Sequence, residues 1–219
     1  KRMLHVPADY PTISAAVASS QDNDQIVVAA GHYKESVTLK NRVLEITGQG
    51  SMQGLLIEGV GGQPALTQTN GFLRLSKVMV KSSGSEAISA HAAMLVVEDC
   101  YVSGGQSGIS MHDGGDLTLR RSVLCRCRKH GVTVGVRGRV VVESCSIFEN
   151  TEHGIMAHAA SSSLLVNRSR VSFNGGVGIS MEGGVQASIE DNDLRNNAKG
   201  SVHIGACSQA TVVLGSNLT

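Results

Sequence analysis

From about residue 84 to the C-terminus, apolar and polar positions recur with a period of 22 to 24 residues. Each copy opens on a Gly and an alternating apolar pair: Gly108-Ile109-Ser110-Met111, Gly131-Val132-Thr133-Val134, Gly154-Ile155-Met156-Ala157 and Gly178-Ile179-Ser180-Met181. Weaker copies read Ala87-Ile88-Ser89-Ala90 and Ser201-Val202-His203-Ile204. A second alternation follows, as Leu95-Val96-Val97, Leu117-Thr118-Leu119, Val140-Val141-Val142, Leu164-Leu165-Val166, Ala187-Ser188-Ile189 and Thr211-Val212-Val213. Three residues on stands a small or amide side chain: Cys100, Ser122, Cys145, Ser169, Asn192 or Ser216. Next comes a third apolar position (Val102, Leu124, Ile147, Val171, Leu194, Leu218), and then Gly105, Cys127, Asn150, Asn174 and Asn197.

Each apolar set has period 2, so each is a short strand with one face inward. Three such strands per copy, with no 3.6-residue pattern between them, predict an all-β fold, a parallel β-solenoid with three strands per coil. Asn suits the stacked corners because it tolerates left-handed backbone and its amide reaches the equivalent residue one coil away. Near the N-terminus Pro11 suits a first helical turn, and Ile13, Ala16 and Val17 fall on one face. This helix is expected to cap the otherwise bare first coil. The expected organisation is one β-helix domain over 1–219: strand and capping helix at 1–24, irregular coils at 25–83, regular coils at 84–219. Segment 48–70 breaks the period and is the expected place for an inserted loop. The chain stops in mid-coil at Leu218-Thr219. The rod is therefore expected to be a fragment that continues in a longer protein, or to be covered there by another segment or chain.

The pattern Gly-Ile-x-Met, Leu-x-Leu-x-x-Cys/Ser/Asn-x-Ile-x-x-Asn resembles the right-handed parallel β-helix repeat of the pectate-lyase-like superfamily. The opening His5-Val6-Pro7-Ala8-Asp9-Tyr10-Pro11-Thr12-Ile13 and the later Gly31-His32-Tyr33-Lys34-Glu35 resemble the first coil of such domains. The resemblance implies the fold over nearly the whole chain and leaves the function open. Relatives of this kind include polysaccharide lyases, hydrolases and epimerases. They also include F-box substrate receptors, the family of the Shc SH2-domain-binding protein, and periplasmic β-helices that accompany nitrous oxide reductase.

Composition narrows the choice. The 219 residues carry 19 basic and 18 acidic side chains, so net charge exerts no general pull on nucleic acid. Aromatic residues are 3% of the chain, which leaves single-stranded nucleic acid without stacking platforms. No apolar run approaches the ~20 residues of a membrane span. Of the five cysteines, Cys100 and Cys145 share the small-residue column and read as packing groups, while Cys125-Arg126-Cys127 is too short for a zinc half-site. An odd number of thiols points to a reducing, cytoplasmic compartment, with cytoskeletal association implied by the Shc-binding resemblance.

Candidate chemistry is sparse. The outward columns Ser89, Ser110, Thr133, Met156, Ser180, His203 and Val96, Thr118, Val141, Leu165, Ser188 hold no carboxylate and no aromatic ring. That argues against glycan catalysis, which would need clustered acids. His91, His112 and His158 share one turn column, and His130 and His153 form a second pair. Asp113, Asp116, Glu182, Asp191 and Asp193 read as solvated turn residues, so no metal or other cofactor is expected. The clearest charge feature is basic: Arg120, Arg121, Arg126, Arg128, Lys129, Arg137 and Arg139, with no acid among them in the sequence, and in a three-sided coil they are expected to spread around the perimeter. Phe148 and Met156 project outward from the next coil and are expected to add an apolar spot. The expectation is therefore a non-catalytic interaction rod that binds an acidic or phosphorylated protein through this rim. A carbohydrate-active enzyme is the alternative, with glycan as ligand.

Overall fold

The computed structural model describes residues 1–158, 161–205 and 212–219, so the readings of Cys207 and Thr211, and of the Val212 side chain, lie outside the described residues. One coil shows how the pattern folds. Ile109–His112, Asp116–Arg120 and Val123–Cys125 are consecutive strands, and each pairs in parallel with its equivalents one coil before and after. Stacking produces three faces. Sheet I runs from Ile88–His91 through Ile109–His112, Val132–Val134, Ile155–Ala157 and Ile179–Met181 to Val202–Ile204. Sheet II runs from Met94–Glu98 through Asp116–Arg120, Arg139–Glu143, Ser163–Asn167 and Gln186–Glu190 to Val212–Leu214. Sheet III runs from Gly31–Lys34 to Arg170–Ser172. The long strands Val37–Gly48 and Leu66–Ser76 pass through sheets I and II in one piece, turning at Asn41 and Asn70, both at φ 52°.

The inward columns form one continuous core. In a single coil Ile109, Met111, Leu117, Leu119 and Leu124 are all buried. Each contributes roughly 1.5–3 kcal/mol by leaving water, but only while the neighbouring coil covers it, which is why the ends need protection. At the N-terminus the helix Ile13–Ser19 gives that protection with Ile13, Ala16 and Val17, the predicted face. The helix begins at Ile13, so Pro11 precedes its first turn and Thr12 is its N-cap: the Thr12 hydroxyl accepts from the Ala15 N–H at 3.1 Å. The Glu35 carboxylate accepts from the Ile13 and Ser14 N–H groups, both at 2.9 Å, tying the cap to the next coil.

Two side-chain ladders fasten the corners. Between sheets II and III the Cys100 N–H donates to the Ser122 hydroxyl, Cys145 to Ser169, and Ser169 to the Asn192 amide oxygen. Between sheets III and I, Cys127 donates to Asn150, Asn150 to Asn174, and Asn174 to Asn197. The left-handed backbone sits one residue earlier than expected, at Asp191, Glu149, Phe173 and Asn196, and leaves the buried Asn side chain free to span coils.

Two expectations change. Asn192 bonds Asn217, not Ser216, and Ser188 pairs with Val213. The last coil is therefore one residue out of the expected register, which turns Val213 and Leu218 outward. Segment 48–70 also stays within the coil. Leu55–Glu58 pairs normally in sheet III, and the surplus residues lie in the corner that contains the short 3-10 turn Met52–Gly54. Among the described residues no helix is long and apolar enough to cross a membrane.

Candidate functional site on sheet I

Outward residues of sheet I form rows because register is kept from coil to coil. Ser89, Ser110, Thr133, Met156 and Ser180 make the central row. On one side lie Thr69, His91 and His112, with His158 and Glu182 further along; on the other, Ser107, His130, His153 and Val177 follow one another up the rod. The two predicted histidine pairs are real neighbours. The His91 and His112 rings stack at 4.6 Å between centroids and 17° between planes, and His130 and His153 at 5.2 Å and 7°.

Turns supply what the strand columns lack. Asp113, read from sequence as a solvated turn residue, lies with Oδ2 3.4 Å from His91 Nδ1, while His91 Nε2 is 3.2 Å from the Ser89 hydroxyl. Glu152 brings Oε2 to 3.3 Å from His130 Nε2. Backbone contacts fix the second pair's tautomers. The His153 N–H donates to His130 Nδ1 at 3.3 Å, and the Val177 N–H donates to His153 Nδ1 at 3.0 Å. Each accepting Nδ1 must be unprotonated, so a neutral ring carries its hydrogen on Nε2, facing outward. Burial holds His130 down at about 4, with His153 adding to the effect against Glu152. Burial, followed by the neighbouring His91, also lowers His112. The face thus sets imidazoles beside turn carboxylates over a row of mostly buried hydroxyls, a set able to exchange hydrogen bonds. Among the described residues no three ligating side chains converge on a metal position.

The predicted basic rim is dispersed over three corners. Arg120 and Arg121 stand where sheet II meets sheet III, Arg126, Arg128 and Lys129 where sheet III meets sheet I, and Arg137 and Arg139 where sheet I meets sheet II. Adjacent coils neutralise several of them. Arg120 lies between Glu98 at 3.5 Å and Glu143 at 3.1 Å, Arg121 pairs with Asp99 at 2.8 Å, and Arg126 with Glu149 at 2.9 Å. Arg128 donates to the Gly84 carbonyl, whereas Lys129, Arg137 and Arg139 form no ion pair among the described residues. The acids missing from the linear run arrive from 22 or 23 residues away, the repeat length itself. Phe148 and Met156 do not join, because they lie half-buried on sheets III and I with a corner between them.

Sheet II presents a different surface. Its central row begins with the charged Glu45 and Arg74 and continues as Val96, Thr118, Val141, Leu165, Ser188 and Val213. A shallow depression of about 350 Å³ lies over Val141, Leu165, Ser188 and Val213. On sheet III, Cys125 is outward in register yet buried, with Sγ 2.9 Å from the Tyr101 hydroxyl. Burial pushes its thiol pKa up. Cys100, Cys125, Cys127 and Cys145 are all free thiols.

No curated protein sequence matches the chain. Among solved structures it resembles pectate lyase Pel9A, at 13% identity and a TM-score of 0.61 over 93% of this chain and 68% of that one. It resembles the alginate lyase from Paenibacillus sp. str. FPU-7 at 16% identity and 0.60, over 99% of this chain and 95% of that one. The pectin methylesterase from Aspergillus niger gives 15% and 0.62, over 98% and 84%. These likenesses establish the pectate-lyase-like fold. The family model for the right handed beta helix region matches residues 55–217, and the chain belongs to that family.

Proposed function

We propose that this β-helix is carbohydrate-directed and engages a uronate-type polysaccharide along the outer face of sheet I. The observation that carries this reading is the pair of stacked-histidine units on that face, each holding a turn carboxylate, Asp113 at His91 and Glu152 at His130. Between them Thr133 is half-buried and Ser89, Ser110 and Ser180 are buried, so a polymer lying along the rod meets the imidazoles and the turn carboxylates. The named substrates of the similar structures, pectate, alginate and pectin, support the same ligand class.

The test is retention on immobilised pectate and alginate, in chelator, for the chain and for a His91→Ala/His130→Ala variant. Retention lost by at least tenfold in the variant is expected. Equal retention of both, or none of either, overturns the reading. A second reading has support of its own: an interaction rod in the cytoplasm that binds an acidic or phosphorylated protein. The free buried thiols, the uncharged stretch of sheet II from Val96 to Val213, and Lys129, Arg137 and Arg139, which form no ion pair among the described residues, favour it. Capture of an acidic partner that is lost on Arg137→Glu/Arg139→Glu, with no polysaccharide retention, would establish that reading instead.

A further inference from the structure

The central row of sheet II is uncharged from Val96 to Val213, after Glu45 and Arg74, and charges flank it at Asp116–Arg120 and Arg139–Glu143. Asp116 and Arg139 start adjacent strands, and Arg120 and Glu143 stand at their other ends. The four charges form a checkerboard around Thr118 and Val141. Arg120 and Glu143 already belong to a ladder that continues to Glu98 and Arg168. Asp116 and Arg139 are exposed and form no ion pair within the described residues of the chain.

We infer that sheet II docks face to face on sheet II of a second copy of this chain, about a two-fold axis parallel to the strands and passing between Asp116–Arg120 and Arg139–Glu143. That operation keeps strand direction and reverses the order of coils. It therefore sets Asp116 against the partner's Arg139, Arg120 against the partner's Glu143, and Thr118 against the partner's Val141. One coil further out, Val96 meets the partner's Leu165 and Met94 meets the partner's Ser163. No like charges come together in these rows. The two unpaired charges satisfy each other, and Met94 (51% exposed) and Leu165 (37%) leave water.

The axis lies between the sixth and seventh of the ten strands on this face. Met3–Val6, Asp24–Val28, Val37–Gly48, Leu66–Ser76, Met94–Glu98 and Asp116–Arg120 lie on one side, and Arg139–Glu143, Ser163–Asn167, Gln186–Glu190 and Val212–Leu214 on the other; the two-fold overlaps the four strands nearest the axis on each side and sets Arg74 against the partner's Ser188 and Glu45 against the partner's Val213. At strand spacings of about 4.8 Å and residue rises of about 3.3 Å this overlap measures roughly 38 by 16 Å. Pairing two copies buries on the order of 1,200 Å², at the lower edge of the range of specific interfaces. Isologous contact of this kind closes on itself and does not propagate.

The test is sedimentation equilibrium of the chain and three variants. The unmodified chain is expected to dimerise, and Asp116→Arg and Arg139→Asp are each expected to weaken the dimer at least tenfold. The double variant Asp116→Arg/Arg139→Asp restores the opposition of unlike charges and should recover it. Far-ultraviolet circular dichroism melts of these exposed-site variants confirm that folding is kept. A monomer at every concentration overturns the inference. So does a double variant as weak as the singles, which is also the outcome for a two-fold running along the rod, where Asp116 would face the partner's Arg120.

Discussion

Sheets I and II are built from the same coils on the same buried columns, yet their outer faces have little in common. Sheet I carries imidazoles over mostly buried hydroxyls, and its acids are borrowed from turns; the central row of sheet II is uncharged from Val96 to Val213, after Glu45 and Arg74. Strand alternation separates the two requirements. Inward residues must fill a packed interior, whereas outward ones are free to vary with little cost to folding. The fold can therefore hold a ligand face and a docking face side by side, and each should respond to its own substitutions.

The largest effect is expected where that independence ends, in the shared corners. Asn174 is buried and links Asn150, Asn197 and the carbonyls of Ile147 and Ser172. Asn174→Ala leaves several of these groups unpaired and should cost about 2–3 kcal/mol, lowering the thermal midpoint and disabling both faces together. Acid should act next, through sheet I. The folded-state His130 value of about 4 lies below the ordinary 6.5. Between those values the unfolded chain binds the extra proton, so stability falls as pH drops from about 6.5 toward 4. Denaturant midpoints measured across that range should decline less steeply in His130→Gln. At still lower pH Asp24 contributes in the same sense: the Arg2 guanidinium holds its carboxyl below the usual range, and protonation removes that stabilisation.

Smaller effects should divide the faces. Leu165→Ser is expected to weaken self-association about tenfold, read by sedimentation, while leaving polysaccharide retention unchanged. His91→Ala should do the reverse, with a stability change within about 0.5 kcal/mol in a melt. A loss of both properties in either variant would mean that the two faces are coupled through the core.

How much was legible in the chain differs between these layers. The columns Ile109/Met111, Leu117/Leu119 and Leu124 could be read because burial imposes period 2 within a strand and the coil repeats it. The helix face Ile13, Ala16 and Val17 could be read for the same reason at helical spacing. The last coil was misread because Thr211-Val212-Val213 and Val212-Val213-Leu214 alternate almost equally well, and only pairing with Ser188 decides between them. The basic run looked unopposed because its acids lie one coil away in the sequence. Applying the repeat length to Arg121 and Asp99, or to Arg126 and Glu149, would have exposed the pairing.

Periodic burial along the chain thus determined, from sequence alone, that this is a three-faced parallel β-helix, and which residues fill it. The tertiary structure decided which surface groups meet. Coils stacked about 4.8 Å apart bring together residues 22 or 23 positions apart, and left-handed corner residues aim turn carboxylates such as Asp113 back onto a strand face. Contacts of that kind depend on side-chain direction at the corners, which a pattern of hydrophobic and polar letters does not encode.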